Sequence, residues 1–279
     1  MFVRVGGVPH HVVVEGSGPP CVLSAGLGLA WFDWDPVVPL LTPYRTVVRF
    51  DRPGHGLSGP AAVAPTAAGE AHRIAALLDA LGLRRATVVG HSIAGFHAEA
   101  FARLHPCRTS AVVLVDSSVE EDATVPAAPG IRTAVATALG ATLGAAGVPV
   151  ALGPLARRLG VRLSRASGGG DPAPASLVHR CYTTSRVLRG TLLENAHYRA
   201  VAAELLALRR RRPLPAVPVA VLAGTAGGRR WTARQRGLAL ELGARFEEVT
   251  PAGHLVMLDR PDAVARAILE DSARPSRAA

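Results

Sequence analysis

Gly90-His91-Ser92-Ile93-Ala94-Gly95 sets one serine among small neighbours. A β-branched run (Ala86-Thr87-Val88-Val89) precedes it, and an apolar helical pattern (Phe96, Ala98, Ala100, Phe101, Leu104) follows. Strand, tight turn, serine, helix is the layout of a nucleophile elbow. The serine backbone sits in a strained turn, where bulky neighbours would clash. That strain lifts Oγ clear of the sheet, and the helix N-terminus beneath favours developing negative charge. A serine hydroxyl is a poor nucleophile until a base takes its proton, and the base needs an orienting acid. The backbone N–H of Ile93, directly after the serine, is one expected oxyanion donor.

Ten histidines compete for the role of base. His254 stands out in Pro251-Ala252-Gly253-His254, a loop between the last strand pattern and the last helix pattern. In a parallel sheet that loop emerges on the same edge as the Ser92 turn. His91 adjoins Ser92 and is expected to point into the fold; it is grouped with Trp31 and Trp34 as a candidate for the substrate pocket. Trp31, Phe32 and Trp34 either pack their loop or wall an acyl pocket. His55 lies in a structural turn, and His197 sits where it could line a pocket. The remaining histidines have no motif behind them.

The elements that must position these groups alternate in type. Phe2–Val5 and His10–Glu15 flank Gly6-Gly7 as an antiparallel hairpin. Short apolar strands are expected at Cys21–Ala25, Thr46–Phe50, the elbow, Ala111–Val115, Val217–Leu222 and Arg245–Val249. Helical periods lie at Thr66–Leu83, from the elbow to His105, from about Thr232, and from Pro261. Continuously apolar strands alternating with helices imply an α/β fold: a mostly parallel sheet covered by helices on both faces. From about Ser117 to Pro213 the alternation gives way to helical patterns broken by Pro and Gly. The expected organisation is a core of residues 1–118 and 214–271, a helical cap or lid at 119–213, and a flexible tail at 272–279.

Several ordered motifs together resemble the α/β-hydrolase fold superfamily over roughly residues 2–271. They are Ser24-Ala25-Gly26-Leu27-Gly28, Trp34-Asp35-Pro36, Asp51-Arg52-Pro53-Gly54-His55-Gly56-Leu57-Ser58, the Ser92 elbow, Leu114-Val115-Asp116-Ser117-Ser118, and Gly253-His254 with Leu258-Asp259-Arg260-Pro261. The resemblance implies Ser92 as nucleophile, His254 as general base and the Leu27 N–H as second oxyanion donor. It also implies an acid a few residues beyond Gly224, but Gly224-Thr225-Ala226-Gly227-Gly228-Arg229 holds no carboxylate. A variant of the family carries the acid after the sixth strand, which matches Asp116. Glu120, Glu121, Asp122, or no acid at all, are the alternatives. Serine at the elbow separates the chain from the dehalogenases and epoxide hydrolases of this fold, which use Asp there. The implied activity is cleavage of a carboxylic ester, lactone or thioester of an apolar small molecule, of the esterase or thioesterase type. The alternative is a non-hydrolytic ligand binder or a cofactor-free lyase or cyclase. No cofactor is implied.

Composition bounds the rest. With 49% hydrophobic and 19% charged residues the chain is globular, and 279 residues can bury one large core. The formal charge of +10 suggests nucleic acid, yet all 31 basic residues are Arg and Ala, Gly and Pro abound. That bias fits a GC-rich genome, so no nucleic-acid partner is expected, and Arg209–Arg212 is taken as a solvated helix end. Cys21, Cys107 and Cys181 form no disulfide framework, and no cleavable signal is evident, so a cytoplasmic location is expected. Thr133–Ala156 carries no charge, but its prolines, glycines and Ala-rich character favour helices over a greasy pocket to stable membrane insertion. No metal-ligand spacing and no phosphate-loop motif occurs. Oligomeric state is not readable.

Overall fold

Gly6 and Gly7 adopt φ of +53° and +80°, the left-handed pair that a two-residue hairpin turn requires. They join β1 (Phe2–Val5) to β2 (Val8–Glu15), with Phe2 opposite His11 and Val5 opposite Val8. The computed structural model describes residues 1–166 and 168–271; the expected tail at 272–279 lies outside the described residues. The other strands are β3 (Pro20–Ser24), β4 (Thr46–Phe50), β5 (Ala86–His91), β6 (Thr109–Val115), β7 (Val219–Gly224) and β8 (Arg245–Val249). They form one eight-stranded sheet in the order β1-β2-β4-β3-β5-β6-β7-β8. Pairing is antiparallel from β1 through β4 and parallel from β4 to β8.

Both faces of the parallel part are covered, which explains strands that are apolar throughout. On one face pack α2 (Ala67–Ala80), α3 (Ala94–Leu104) and α8 (Gly228–Leu242), through Ile74, Leu78, Phe101 and Leu238. On the other pack α1 (Val38–Leu41), α9 (Val256–Asp259) and α10 (Pro261–Asp271), through Leu41, Met257, Val264 and Ile268. Helix α2 begins where Thr66 Oγ1 accepts the Gly69 N–H at 2.9 Å, a side-chain cap.

Among the described residues between β6 and β7 lie four helices: α4 (Pro129–Ala145), α5 (Val148–Ser164), α6 (Ala175–Tyr182) and α7 (Ser185–Arg211). Gly147, at φ +74°, breaks the uncharged stretch, so α4 and α5 meet at 105°. Among the described residues no single helix is long and apolar enough to cross a membrane. The line drawn at residue 213 divides less than the sequence suggests, because Val201, Ala202 and Leu205 of α7 belong to the main core. Arg209 differs from a solvated helix end: it pairs with Glu99 of α3 and Glu241 of α8, at 2.7 Å each.

Candidate active site

The elbow forms as its sequence predicts. Ser92 joins β5 to α3 at φ +54°, a left-handed backbone that a non-glycine residue adopts only under constraint. Its N–H donates to Val115 O at 3.2 Å, and its carbonyl accepts from Gly95 at 2.9 Å and Ser118 at 3.0 Å. The turn is thus tied both to its own helix and to the end of the neighbouring strand. Ile93 caps α3 directly after the serine, and Leu27 follows Gly26 in the loop after β3. Neither of their N–H groups bonds an acceptor among the described residues.

Asp116 ends β6 in the same unusual conformation, at φ +43°. Its carboxylate is buried and fully engaged. Oδ2 lies 2.5 Å from His254 Nδ1, while Oδ1 accepts the Gly224 N–H at 2.9 Å and the Trp231 Nε1–H at 2.8 Å. The charge-assisted contact to Nδ1 fixes the imidazole orientation and leaves Nε2 to face outward. The His254 side chain is 40% exposed, enough to meet a substrate. Its loop is anchored by Asp259, which accepts the Gly253 N–H at 2.9 Å and bonds Arg165 at 2.7 Å.

The missing carboxylate beyond Gly224 has a structural counterpart. A Cβ at Gly227 would stand 2.6 Å from Trp231 Cδ1, so the indole fills that space and aims its N–H at Asp116. Trp231 is a site residue that sequence reasoning missed; the only signal was the empty acid position four residues before it. The nearby alternatives Glu120, Glu121 and Asp122 form no bond to His254 among the described residues.

Ser92, His254 and Leu27 share one cavity of about 510 Å³, walled mainly by apolar residues of α5 and α7 such as Leu152, Val161 and Leu188. His91 also borders it, though its ring is buried: Nε2 lies 2.9 Å from His254 O, and the two rings are 4.7 Å apart. Burial, followed by the proximity of His254, holds the His91 ring well below the ordinary histidine range. A neutral ring bonded to a carbonyl carries its proton on Nε2. The two tryptophans do not line the cavity. Trp34 is wholly buried under the α9–α10 face of the sheet. Trp31 packs edge-on against His11 and Phe32, beside Cys181, on the far side of its loop. Their proximity in sequence to the oxyanion loop did not become proximity to the serine, because the short helical turn Trp31–Trp34 directs these rings into the core.

Among the described residues, Arg157 of α5 is the one arginine that borders the cavity. It is already met by the Asp33 carboxylate and by Asp171 at 3.0 Å, and it touches Tyr182 Oη at 3.1 Å. Burial opposes the Arg157 charge, but Asp33 outweighs it and holds the guanidinium protonated. Among the described residues no cluster of His, Cys, Asp and Glu could hold a metal ion.

A strand-end serine, a strand-end aspartate and a loop histidine on one edge of a parallel sheet define the hydrolase class of α/β proteins. The family model described as "Alpha/beta hydrolase family" matches residues 21–267, and the chain belongs to that family. It is 34% identical over 118 residues to the 2-hydroxy-6-oxo-2,4-heptadienoate hydrolase of Pseudomonas putida, covering 41% of this chain and 43% of that protein. The matching stretches span less than half the length of the curated relatives. Among solved structures, Cfl2 of Burkholderia cenocepacia superposes with a TM-score of 0.72 at 26% identity, covering 96% of this chain and 94% of that one. The enol-lactonase of Burkholderia xenovorans LB400 gives 0.69 at 24% identity over 98% and 100%, a likeness of fold.

Proposed function

We propose that the chain is a serine hydrolase that cleaves an ester-type bond (carboxylic ester, lactone or thioester) of an apolar small molecule. The observation that carries this reading is the 2.5 Å contact between Asp116 Oδ2 and His254 Nδ1 in a loop that shares its cavity with Ser92. Asp116 holds His254 with its proton on Nδ1, so Nε2 takes the proton from Ser92 Oγ as Oγ attacks the carbonyl carbon. The N–H groups of Leu27 and Ile93 stabilise the alkoxide. Collapse of the tetrahedral intermediate expels the alcohol or thiol, protonated by His254, and water then releases the acyl group by the same steps in reverse roles.

The cavity walls favour an apolar acyl group, and the pairing of Arg157 with two carboxylates favours an uncharged one. The reaction needs no cofactor. Helices α4–α7 act as a cap over the site. The buried unpaired thiols of Cys21 and Cys181 fit a reducing compartment, the cytoplasm.

The test is intact-mass analysis after incubation with a fluorophosphonate, beside Ser92→Ala. One adduct on the wild type and none on the variant, followed by turnover in an ester and thioester screen, is the expected result. A folded wild type that gains no adduct overturns the reading in favour of a ligand binder.

A further inference from the structure

We propose that Arg52 is a positioning residue for the oxyanion hole, binding the carbonyl of the peptide whose N–H is the Leu27 donor. This rests on the serine-hydrolase reading above. Gly26 O and Leu27 N belong to one planar peptide unit, so holding the oxygen fixes where the N–H points. Arg52 Nη2 donates to Gly26 O at 2.9 Å, and Nη1 donates to Ala25 O. The fork thereby grips two successive carbonyls of the loop that carries the donor. A cation on the carbonyl oxygen also draws electron density through the amide, which makes the N–H at its other end a stronger donor.

The surroundings suit that task. Arg52 is buried just beyond β4, and its Nε–H and second Nη2–H meet the buried Glu194 carboxylate of α7 at 2.7 and 2.9 Å. Burial raises the Glu194 pKa, but Arg52 and His55 outweigh it and hold the carboxyl well below its usual range, so both partners stay charged. A buried ion pair is a poor way to gain stability, since apolar residues of similar size do as well. This pair instead occupies only one edge of the guanidinium, leaving N–H groups on Nη1 and Nη2 for one loop. The far end of that loop is held separately, with Tyr182 Oη donating to Gly28 O at 2.7 Å. The Asp51–Ser58 turn therefore does more than reverse the chain: it delivers a rigid cation to the back of the expected oxyanion site.

The test compares an oxygen ester with its thionoester, in which sulfur replaces the carbonyl oxygen. Sulfur accepts hydrogen bonds poorly, so an intact hole strongly prefers the oxygen ester, and a loosened hole loses that preference. Two variants are used. Arg52→Lys keeps the charge but cannot hold Glu194 and both carbonyls. Arg52→Met with Glu194→Leu removes the buried pair as a unit, without stranding a charge. Losing one oxyanion donor costs about 10²–10³ in kcat. Loosening one should cost about ten- to a hundredfold on the oxygen ester, with KM within about threefold. The thionoester rate should change far less, so the ratio of the two rates should fall about tenfold. Equal losses on both esters, or an unchanged ratio in either folded variant, overturn the clamp. A wild type that neither labels at Ser92 nor turns over either ester instead overturns the serine-hydrolase reading, and the clamp with it.

Discussion

Asn in place of Asp116 is nearly isosteric, yet its amide has only one good orientation. The Gly224 and Trp231 N–H groups converge on Oδ1 at 2.9 and 2.8 Å, so an oxygen must occupy that position. Placing the NH₂ there would leave two buried donors unmatched, at about 1–3 kcal/mol each. The NH₂ therefore faces His254 Nδ1 and forces the imidazole proton onto Nε2. In that tautomer His254 cannot take the Ser92 proton. The loss expected from a Ser-His-Asp site is about 10⁴ in kcat, or roughly 5.5 kcal/mol of barrier. KM should change little, because Asp116 does not border the cavity. Steady-state kinetics on a chromogenic ester, with a melting curve to verify the fold, measure both quantities. Adding Trp231→Phe removes one of the two donors that hold the amide in place, and about tenfold of the rate should return. Turnover of Asp116→Asn within about tenfold of wild type would refute the reasoning.

Freeing Arg157 should alter selectivity. Asp171→Asn removes one of its two carboxylate partners, and kcat/KM for an ester with a terminal carboxylate should rise about tenfold relative to its neutral analogue. An unchanged ratio would show that the guanidinium does not sense the acyl group. Stability should follow pH through His97, whose ring nitrogens have no hydrogen-bond partner among the described residues. Burial lowers its pKa from 6.5 to about 4, so below 6.5 the unfolded chain binds the extra proton. This contribution is whole above pH 6.5 and is lost as pH falls toward 4; His97→Leu should flatten that slope in urea unfolding series. Native thiol titration should find one fast cysteine, Cys107, which is exposed. Cys21 and Cys181 are buried, with burial pushing both thiols up to about 12, and should react only after unfolding.

Features set by near neighbours were legible in the sequence. The Gly6-Gly7 turn and the turn at Ser92 each depend on a few consecutive residues, and each forms where the sequence puts it. Strand order was legible only as a class, because pairing across the sheet is decided by packing over long separations. Trp231 shows the consequence. Its bond to Asp116 joins residues 115 positions apart, and it exists because β7 lies beside β6. Arg52 was recognisable as part of a turn, but its partner Glu194 lies 142 residues away on an inserted helix. Trp31 and Trp34 illustrate the opposite error, in which closeness along the chain was taken for closeness in space. The run at Arg209–Arg212 has the composition of a solvated end, and only the placement of Glu99 and Glu241 reveals that Arg209 is a tie.

Helix α7 is 27 residues long, about 40 Å at the usual rise. Val187 and Thr191 near its start face the cavity, Glu194 braces the oxyanion loop, and Val201 and Leu205 sit in the core. A beam fastened at its far end and at its middle does not swing as a door. Its neighbours are fastened as well: α4 packs along α7, Arg157 of α5 pairs with the buried Asp33, and Tyr182 of α6 donates to Gly28 O. A new acyl group is therefore best fitted by changing single side chains of the cavity wall, such as Leu152 and Leu188, because displacing α5, α6 or α7 as a whole would pull on the loop that carries Leu27.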